Sequence, residues 1–465
     1  MKALEAYKEV LQNLPEGIRL AEVEAETEGE LSAVLQNGVH NGASLSEVTS
    51  LFVKTLGEKA GFTYTQNLEE DPSEVLLRAH ESSVYSENTE MYLQKPGEPE
   101  VCRSQEPECE PVKLQELWNA AEAVDQWLTA HYPTMAMRML CVTDRIRTVG
   151  GGNSEGLDAC VSSHSFCLSL FAADEQYPGS FLSDEITVRE LSELKEDLFA
   201  EKLETWYWNL EAKKQGGSGE GFVPGSYRCV LDGKVMNNIF LTAWRMFTED
   251  NYQKKSTPFA GRMQTAVGSS KLTVTDRSVR KGSGYRFAMD CEGSVCRDVT
   301  LIRDGVLTGL LSNLTSAQKA EAASAENIDL VPSTGNAGRK DMISGNIHTN
   351  VVTIPKNFGV EPGSHSLMEL LEELSDGIYI YESFDMFHSV NTVSGEYSIP
   401  CNGILLQNGR PVQVMEGLTI NGRVQDILAN TELVGTDVSV CPMLMLNSFT
   451  VSSPSILVEK LNVSK

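Results

Sequence analysis

The chain has 465 residues, 41% of them hydrophobic and 22% charged, with a net charge of -27 at pH 7. These proportions describe a folded globular chain of roughly two to three domains and exclude global disorder. The acidity opposes direct contact with DNA or RNA, whose phosphates are bound mainly through basic residues, so no direct nucleic-acid partner is expected.

The opening "MKALEAYKEVLQNLPEG" places Leu4, Tyr7, Val10, Leu11 and Leu14 on one helical face, which predicts a docked first helix. Glu5, Lys8 and Glu9 interrupt any apolar run, unlike a secretory signal. No window approaches the roughly 18 apolar residues of a membrane helix, so a soluble cytoplasmic protein with no membrane partner is expected. From Gly17 to about Leu68 the pattern is strands joined by turns. The clearest is a hairpin over Val48–Asn67, with Leu51, Val53 and Thr55 on one face before the turn at Gly57–Lys59 and Phe62 and Tyr64 after it. Asp71 and Pro72 then mark a helix start. Lys95–Pro111, rich in Pro and Glu, predicts an exposed loop. Leu114–Leu128 predicts a second strong helix and about Val188–Lys213 a third. Between these two helices, Met137–Glu175 reads as strands around a glycine turn.

"KKQGGSGEGFVPGS" suggests a flexible boundary. The expected organisation is a mixed α/β N-terminal region at 1–213, a Gly/Ser-rich boundary at 214–226 and a β-rich domain at 227–465. In that domain the "RDG" and "QNG" turns between apolar runs predict hairpins. Beyond an opening helix, helix is expected only over Leu367–Leu374. The predicted fold class is α+β, the C-terminal half made mainly of antiparallel strands.

Chemical motifs are sparse. "GNSEG", Gly152–Gly156, fits G-x-S-x-G, but strand-like sequence follows it where a nucleophile elbow needs a helix. In "CVSSHSFC", Cys160 and His164 would lie roughly 13 Å apart along one face of a strand, too far for one ion. None of the seven histidines is paired at i,i+4. No G-x-G-x-x-G opens a helix. The ten cysteines, with no CxxC pair, read as free thiols. Spacing alone would allow Cys102–Cys109 or Cys291–Cys296 bridges. "FLTAWRMFTED", Phe240–Asp250, predicts an amphipathic helix with Met236, Phe240, Ala243 and Phe247 along its apolar stripe. Its acids, Glu249 and Asp250, could work as acid and base, but read better as a solvated end where the helix stops or frays.

Several pieces in order resemble the TldD/PmbA family, also called modulators of DNA gyrase. The strongest is "SVNTVSGEYSIPCNGILLQNGRPVQVMEGLTINGRVQDILANTELVGTD". Others are "GEKAGFTYTQNLEED", "GGGNSEGL", "YRCVLDGKVMNNIF", "PFAGRMQTAVGSSKLTVTD", "FAMDCEGSVCRDVTLIRDGVLTGLLSN", "STGNAGR" and "SSPSILVEKLNVS". The resemblance implies a family with two arms. TldD-like members are zinc metallopeptidases with a helical His-Glu-x-x-x-His motif and a C-terminal cysteine as third ligand. Laying "STPFAGRM" on its counterpart puts Phe240 at the first histidine, Leu241 at the glutamate and Arg245 at the second histidine. Cys441 falls beside the third-ligand position.

Phe, Leu and Arg cannot bind zinc or take a proton from water, and one thiol makes no catalytic site. The resemblance therefore implies the TldE/PmbA-like arm, with no catalytic or metal residue and no cofactor in this chain. Zinc is expected in a TldD-like partner, with extended unfolded peptides held in an internal cavity. A buried Arg245 would need a carboxylate from either chain. Asn391, Gly395, Glu396 and Ser398 of "NTVSGEYS", with Gly335 and Asn336 of "STGNAGR", are expected to shape the cavity or hold local structure. Two alternatives stay open. One is a stand-alone peptidase with another site, such as a metal held by Cys441 and His388. The other is a homodimer that binds peptides or modulates gyrase without cutting.

Overall fold

The computed structural model describes residues 2–86, 92–95, 111–176, 181–195, 197–215, 222–322, 332–340, 347–384, 388–442 and 449–465. The N-terminal half is built on one six-stranded antiparallel sheet. Its strands are β1 (Leu20–Gln36), β2 (Val39–Leu56), β3 (Ala60–Thr65), β4 (Met135–Asn153), β5 (Asp158–Asp174) and β6 (Phe181–Val188), ordered β3-β2-β1-β4-β5-β6. Alternation fixes the faces of β1. Ala21, Val23 and Ala25 pack with Leu4, Tyr7 and Leu11 of α1 (Lys2–Gln12) and with Val75, Leu76 and Ala79 of α2 (Pro72–Ser82). Ala33 and Leu35, on the same face, meet Leu117, Ala121 and Val124 of α3 (Leu114–His131). Helices thus cover one face of the sheet. α2 starts as expected: the Asp71 side chain accepts from the Ser73 amide at 2.8 Å, with Pro72 in the first turn.

The third predicted helix begins later than expected. β6 runs to Val188 and a short 3-10 turn covers Leu191–Glu193; α4 (Asp197–Gln215) starts only then. β6 pairs with β5 from Phe166↔Val188 to Ala173↔Phe181, which takes Val188 out of the expected helix, and the 3-10 turn that follows is closed by a Glu190–Glu193 capping box. Most of the predicted loop, 96–110, lies outside the described residues, as do 216–221 of the glycine-rich stretch.

The C-terminal half encloses a helix between two layers. In one layer, β7 (Gly225–Leu231), β14 (Gly377–Ser383), β15 (Glu396–Gln407), β16 (Arg410–Arg423) and β20 (Ile456–Ser464) close into a ring, because β16 pairs with both β15 and β20; β17 (Thr431–Val434) flanks β20. The other layer is a sheet of β8 (Val274–Arg277), β9 (Val299–Arg303), β10 (Val306–Leu307), β13 (Asn357–Val360), β18 (Ser439–Pro442) and β19 (Thr450–Ser453), ordered β10-β9-β8-β13-β19-β18. β11 (Ala337–Lys340) and β12 (Ile347–Thr353) form a separate hairpin. The hairpins expected at the "RDG" and "QNG" turns are β9–β10 and β15–β16. The fold is α+β.

Helix is more extensive here than expected. α5 (Gly233–Ala243) is the expected opening helix and α8 (Leu367–Leu374) has the predicted bounds, but α6 (Glu249–Gln253), α7 (Leu314–Ala322) and α9 (Val424–Ala429) are also formed. α6 and α9 are too short to show a 3.6-residue period, and tertiary packing stabilises them. No helix among the described residues is long and apolar enough to cross a membrane.

Candidate functional site

α5 occupies the centre of the C-terminal half. Asp232 caps it, accepting from the Lys234 amide at 2.9 Å, and is itself fixed by a 2.6 Å hydrogen bond from the Tyr379 hydroxyl. The predicted amphipathic helix over Phe240–Asp250 is in fact three pieces. α5 ends at Ala243, a 3-10 turn covers Trp244–Phe247, and α6 begins after Thr248, whose hydroxyl caps it. Glu249 and Asp250 therefore sit in the first turn of a new helix, where its dipole favours them, not at the solvated end of an old one. Asp250 accepts from the Thr353 hydroxyl at 2.7 Å. Burial raises the pKa of Glu249.

Two of the residues that the resemblance lays on the zinc motif, Phe240 and Leu241, are core. Phe240 is 0% exposed and Leu241 2% exposed, and both belong to the apolar cluster filling the space between the ring and the second sheet. Phe240 packs edge-on to Phe358 of β13, their centroids 5.4 Å apart. Arg245 is half-buried in the 3-10 turn, its guanidinium carbon 4.8 Å from the Trp244 ring centroid. β18 lies against the same helix, since Asn237 donates to the Ser439 carbonyl at 3.0 Å. Cys441 on that strand packs on the same cluster, and burial pushes its thiol up to about 11. The structure thus brings Phe240, Leu241 and Cys441 into one apolar core with Arg245 beside it. Two hydrophobes, a cation and a protonated thiol do not fit a zinc ion. Among the described residues, no three His, Cys, Asp or Glu side chains are grouped to hold a metal.

The "NTVSGEYS" residues build a turn. The Asn391 side chain accepts from the Val393 and Ser394 amides at 2.9 and 3.2 Å, and its own amide donates to the Glu396 carbonyl. Gly395 has φ +80°, and a Cβ there would collide with the Gln425 side chain. Gln425 in turn donates to the Ser394 carbonyl at 3.0 Å. The Ser398 amide donates to the Ser389 carbonyl, and both Glu396 and Ser398 are exposed. These residues launch β15.

Gly335 and Asn336 belong to a buried polar network. Asn336, 0% exposed, donates to Asp276 at 2.7 Å and to the Ile354 carbonyl at 2.9 Å. Gly335 has φ +75°, and a Cβ there would collide with the Val295 carbonyl oxygen, so Gly335→Ala should cost at least about 1–2 kcal/mol from backbone strain alone. Thermal unfolding of the variant reads that loss.

Buried carboxyls here make stability fall with rising pH. Desolvation raises Asp276 and Asp437 to about 6 from their ordinary 3.8. The folded chain then holds protons that the unfolded chain has released. The stability they contribute is full below 3.8 and is lost as pH rises through about 6. The melting temperature should therefore fall between pH 5 and pH 7; a rise over that window would contradict it.

A second cluster was missed from sequence. The face of β1 opposite the helices carries Glu22, Glu24, Glu26, Glu28 and Glu30 in alternation, and turns toward the C-terminal half. Glu24 accepts from Arg339 of β11 at 2.5 Å, Glu26 from Arg147 at 2.7 Å and Glu30 from Arg145 at 2.6 Å. Glu22 and Glu24 are 1% and 2% exposed. The period-two signal was visible in "AEVEAETEGE". An acidic alternation ordinarily marks a solvated face, whereas this one is buried against another part of the chain.

Elsewhere the expected plain readings hold. Gly152–Gly156 lies at the end of β4 and in the β4–β5 turn, with Asn153 accepting from the Glu155 and Leu157 amides. Cys160, His164 and Cys167 lie along β5, where His164 pairs with Asp144 at 2.5 Å. Cys291 and Cys296 are free; Cys102 and Cys109 lie outside the described residues.

Residues 224–465 match the model for the PmbA/TldA metallopeptidase C-terminal domain. A metalloprotease of Methanocaldococcus jannaschii is 25% identical over 215 residues, 46% of this chain and 44% of that one. A metalloprotease PmbA homolog of Buchnera aphidicola is 23% identical over 329 residues, 70% of this chain and 64% of that one. The chain thus spans about half the length of the curated relatives it matches. Among solved structures, TldE of Thermococcus kodakarensis superposes with a TM-score of 0.79 at 17% identity, covering 99% of this chain and 100% of that one. A Thermotoga maritima protein described as a modulator of DNA gyrase gives 0.75 at 22% identity, covering 99% and 98%. The fold and the domain match define a metallopeptidase-related α+β protein. The chain belongs to the TldD/PmbA family.

Proposed function

We propose that this chain is the TldE/PmbA-like, zinc-free subunit of a cytosolic TldD/TldE-type metallopeptidase that acts on unfolded peptides. One observation carries the reading. Where the family resemblance puts a zinc-binding histidine and the general base, this chain has Phe240 and Leu241, both buried in a continuous apolar core. The catalytic zinc then belongs to a TldD-like partner with His-Glu-x-x-x-His. This chain would help to wall the space where an extended peptide lies. Backbone pairing to a strand edge would suit such a substrate, since it gives affinity with little side-chain preference.

Co-expression with a TldD-like metallopeptidase tests this. The pair should co-purify and cut an unfolded peptide, with zinc tracking the partner in elemental analysis. The lone chain should carry no stoichiometric zinc and leave the peptide intact. Stoichiometric zinc in the lone chain, or failure of the two chains to associate, overturns the reading.

A further inference from the structure

The two halves of the chain meet across a seam of charged side chains that are mostly buried. From β1 come Glu22, Glu24 and Glu26, and from β2 comes Lys54, directly opposite Glu22. β4 supplies Arg147, and its residue opposite Glu22 on the other side is the uncharged Asn153. The C-terminal half supplies Arg339 on β11, and Asp290, Cys291 and Glu292 from the loop before β9, with Lys356 behind them.

Most of these groups are engaged. Arg339 donates to Glu24 at 2.5 Å, and the Lys54 ammonium donates to the Tyr92 carbonyl at 3.1 Å. Lys356 donates to the Ala337 carbonyl at 3.1 Å. Asp290 accepts from the Glu292, Ser294 and Ala337 amides, and Glu292 from the Leu314 amide at 2.8 Å.

Glu22 differs from all of them. It is 1% exposed, and neither carboxyl oxygen has a hydrogen-bond partner. Arg339 Nη2 stands 3.8 Å from it, beyond hydrogen-bond range, while Arg339 Nε donates to Glu24. A buried carboxylate without a hydrogen bond is far costlier than the neutral acid.

We propose that the seam is a proton-operated latch, closed while Glu22 is the neutral acid and loosened when Glu22 gives its proton to solvent. Desolvation is the largest influence on Glu22 and raises its pKa, and Glu292 raises it further, against Lys54 and Arg339. Ionisation would set a buried negative charge beside Glu292 with no hydrogen bond to either of its oxygens. Opening lets water solvate the carboxylate. Because the opened form ionises near the ordinary 4.5, each pH unit from there up to the closed-form pKa favours opening about tenfold per group. Glu24 and Asp290, both raised to about 7, add to the same dependence.

The test follows amide hydrogen exchange of the full chain by mass spectrometry from pH 5 to pH 7, after correction for intrinsic exchange rates. Peptides covering β1 and residues 286–296 should lose protection as pH rises, while α5 does not. In Glu22→Gln, which keeps the shape and removes the proton, the slope of log protection against pH should fall by about one. Should that variant fail to fold, Glu292→Gln tests the same contact, because removing the facing carboxylate should move the wild-type transition to lower pH. Seam protection independent of pH in the wild type overturns the latch. So does an unchanged slope in Glu22→Gln, or an unmoved transition in Glu292→Gln.

Discussion

Arg339→Met should destabilise the folded chain by about 3–5 kcal/mol, because removing one partner of a buried ion pair leaves an uncompensated charge. Arg339 and Glu24 have side-chain exposures of 2% each, and the bond between them is 2.5 Å. Burial already raises Glu24 to about 7 even with the arginine present; without it, the carboxyl would be forced neutral or hydrated. Urea unfolding of the full chain measures the loss. Adding Glu24→Gln to Arg339→Met should recover a large part of it, since the stranded charge is then gone. A single-variant loss below about 1 kcal/mol, the scale of an exposed pair, would mean that the pair does not hold the halves together.

Phe240→Ala should cost about 3–5 kcal/mol, the range for emptying a buried aromatic site. The side chain is 0% exposed and wedged between the ring of strands and Phe358, so neighbours can relax only partly into the cavity. Restoring the active arm's motif should not restore its chemistry. Phe240→His, Leu241→Glu and Arg245→His together would place a carboxyl at a position now 2% exposed, within an apolar cluster. The triple variant should melt well below the wild type and bind less than one zinc per chain by elemental analysis. A stable triple variant with stoichiometric zinc would show that the helix still fronts a competent metal cavity.

What could be read before the fold was known follows from the range of each signal. The α3 pattern and the Asp71–Pro72 start concern neighbours within a few residues, and both are formed as expected. Leu367–Leu374 is helical over the predicted bounds because Ser366 and Glu369 cap it reciprocally. α4 starts later than expected because Val188 pairs with Phe166 of β5 and a capped 3-10 turn occupies Leu191–Glu193. Phe240–Asp250 looked like one helix because its apolar period is continuous. The break at Thr248 depends on a side-chain cap and on the Glu249 amide bonding the distant Leu311 carbonyl.

The sequence by itself determined the fold class, the hairpins and the family. The family resemblance it carries puts Phe240, Leu241 and Arg245 where a zinc motif would need two histidines and a glutamate. These are matters of residue identity, local capping and short periodicity. Only the tertiary structure decided that Phe240 and Leu241 share a core with Cys441, and that Glu22 and Glu24 of β1 lie buried against Arg339 instead of facing water. Glu24 and Arg339 are separated by 315 residues, and alternation along a strand specifies two faces without saying which one another domain will cover.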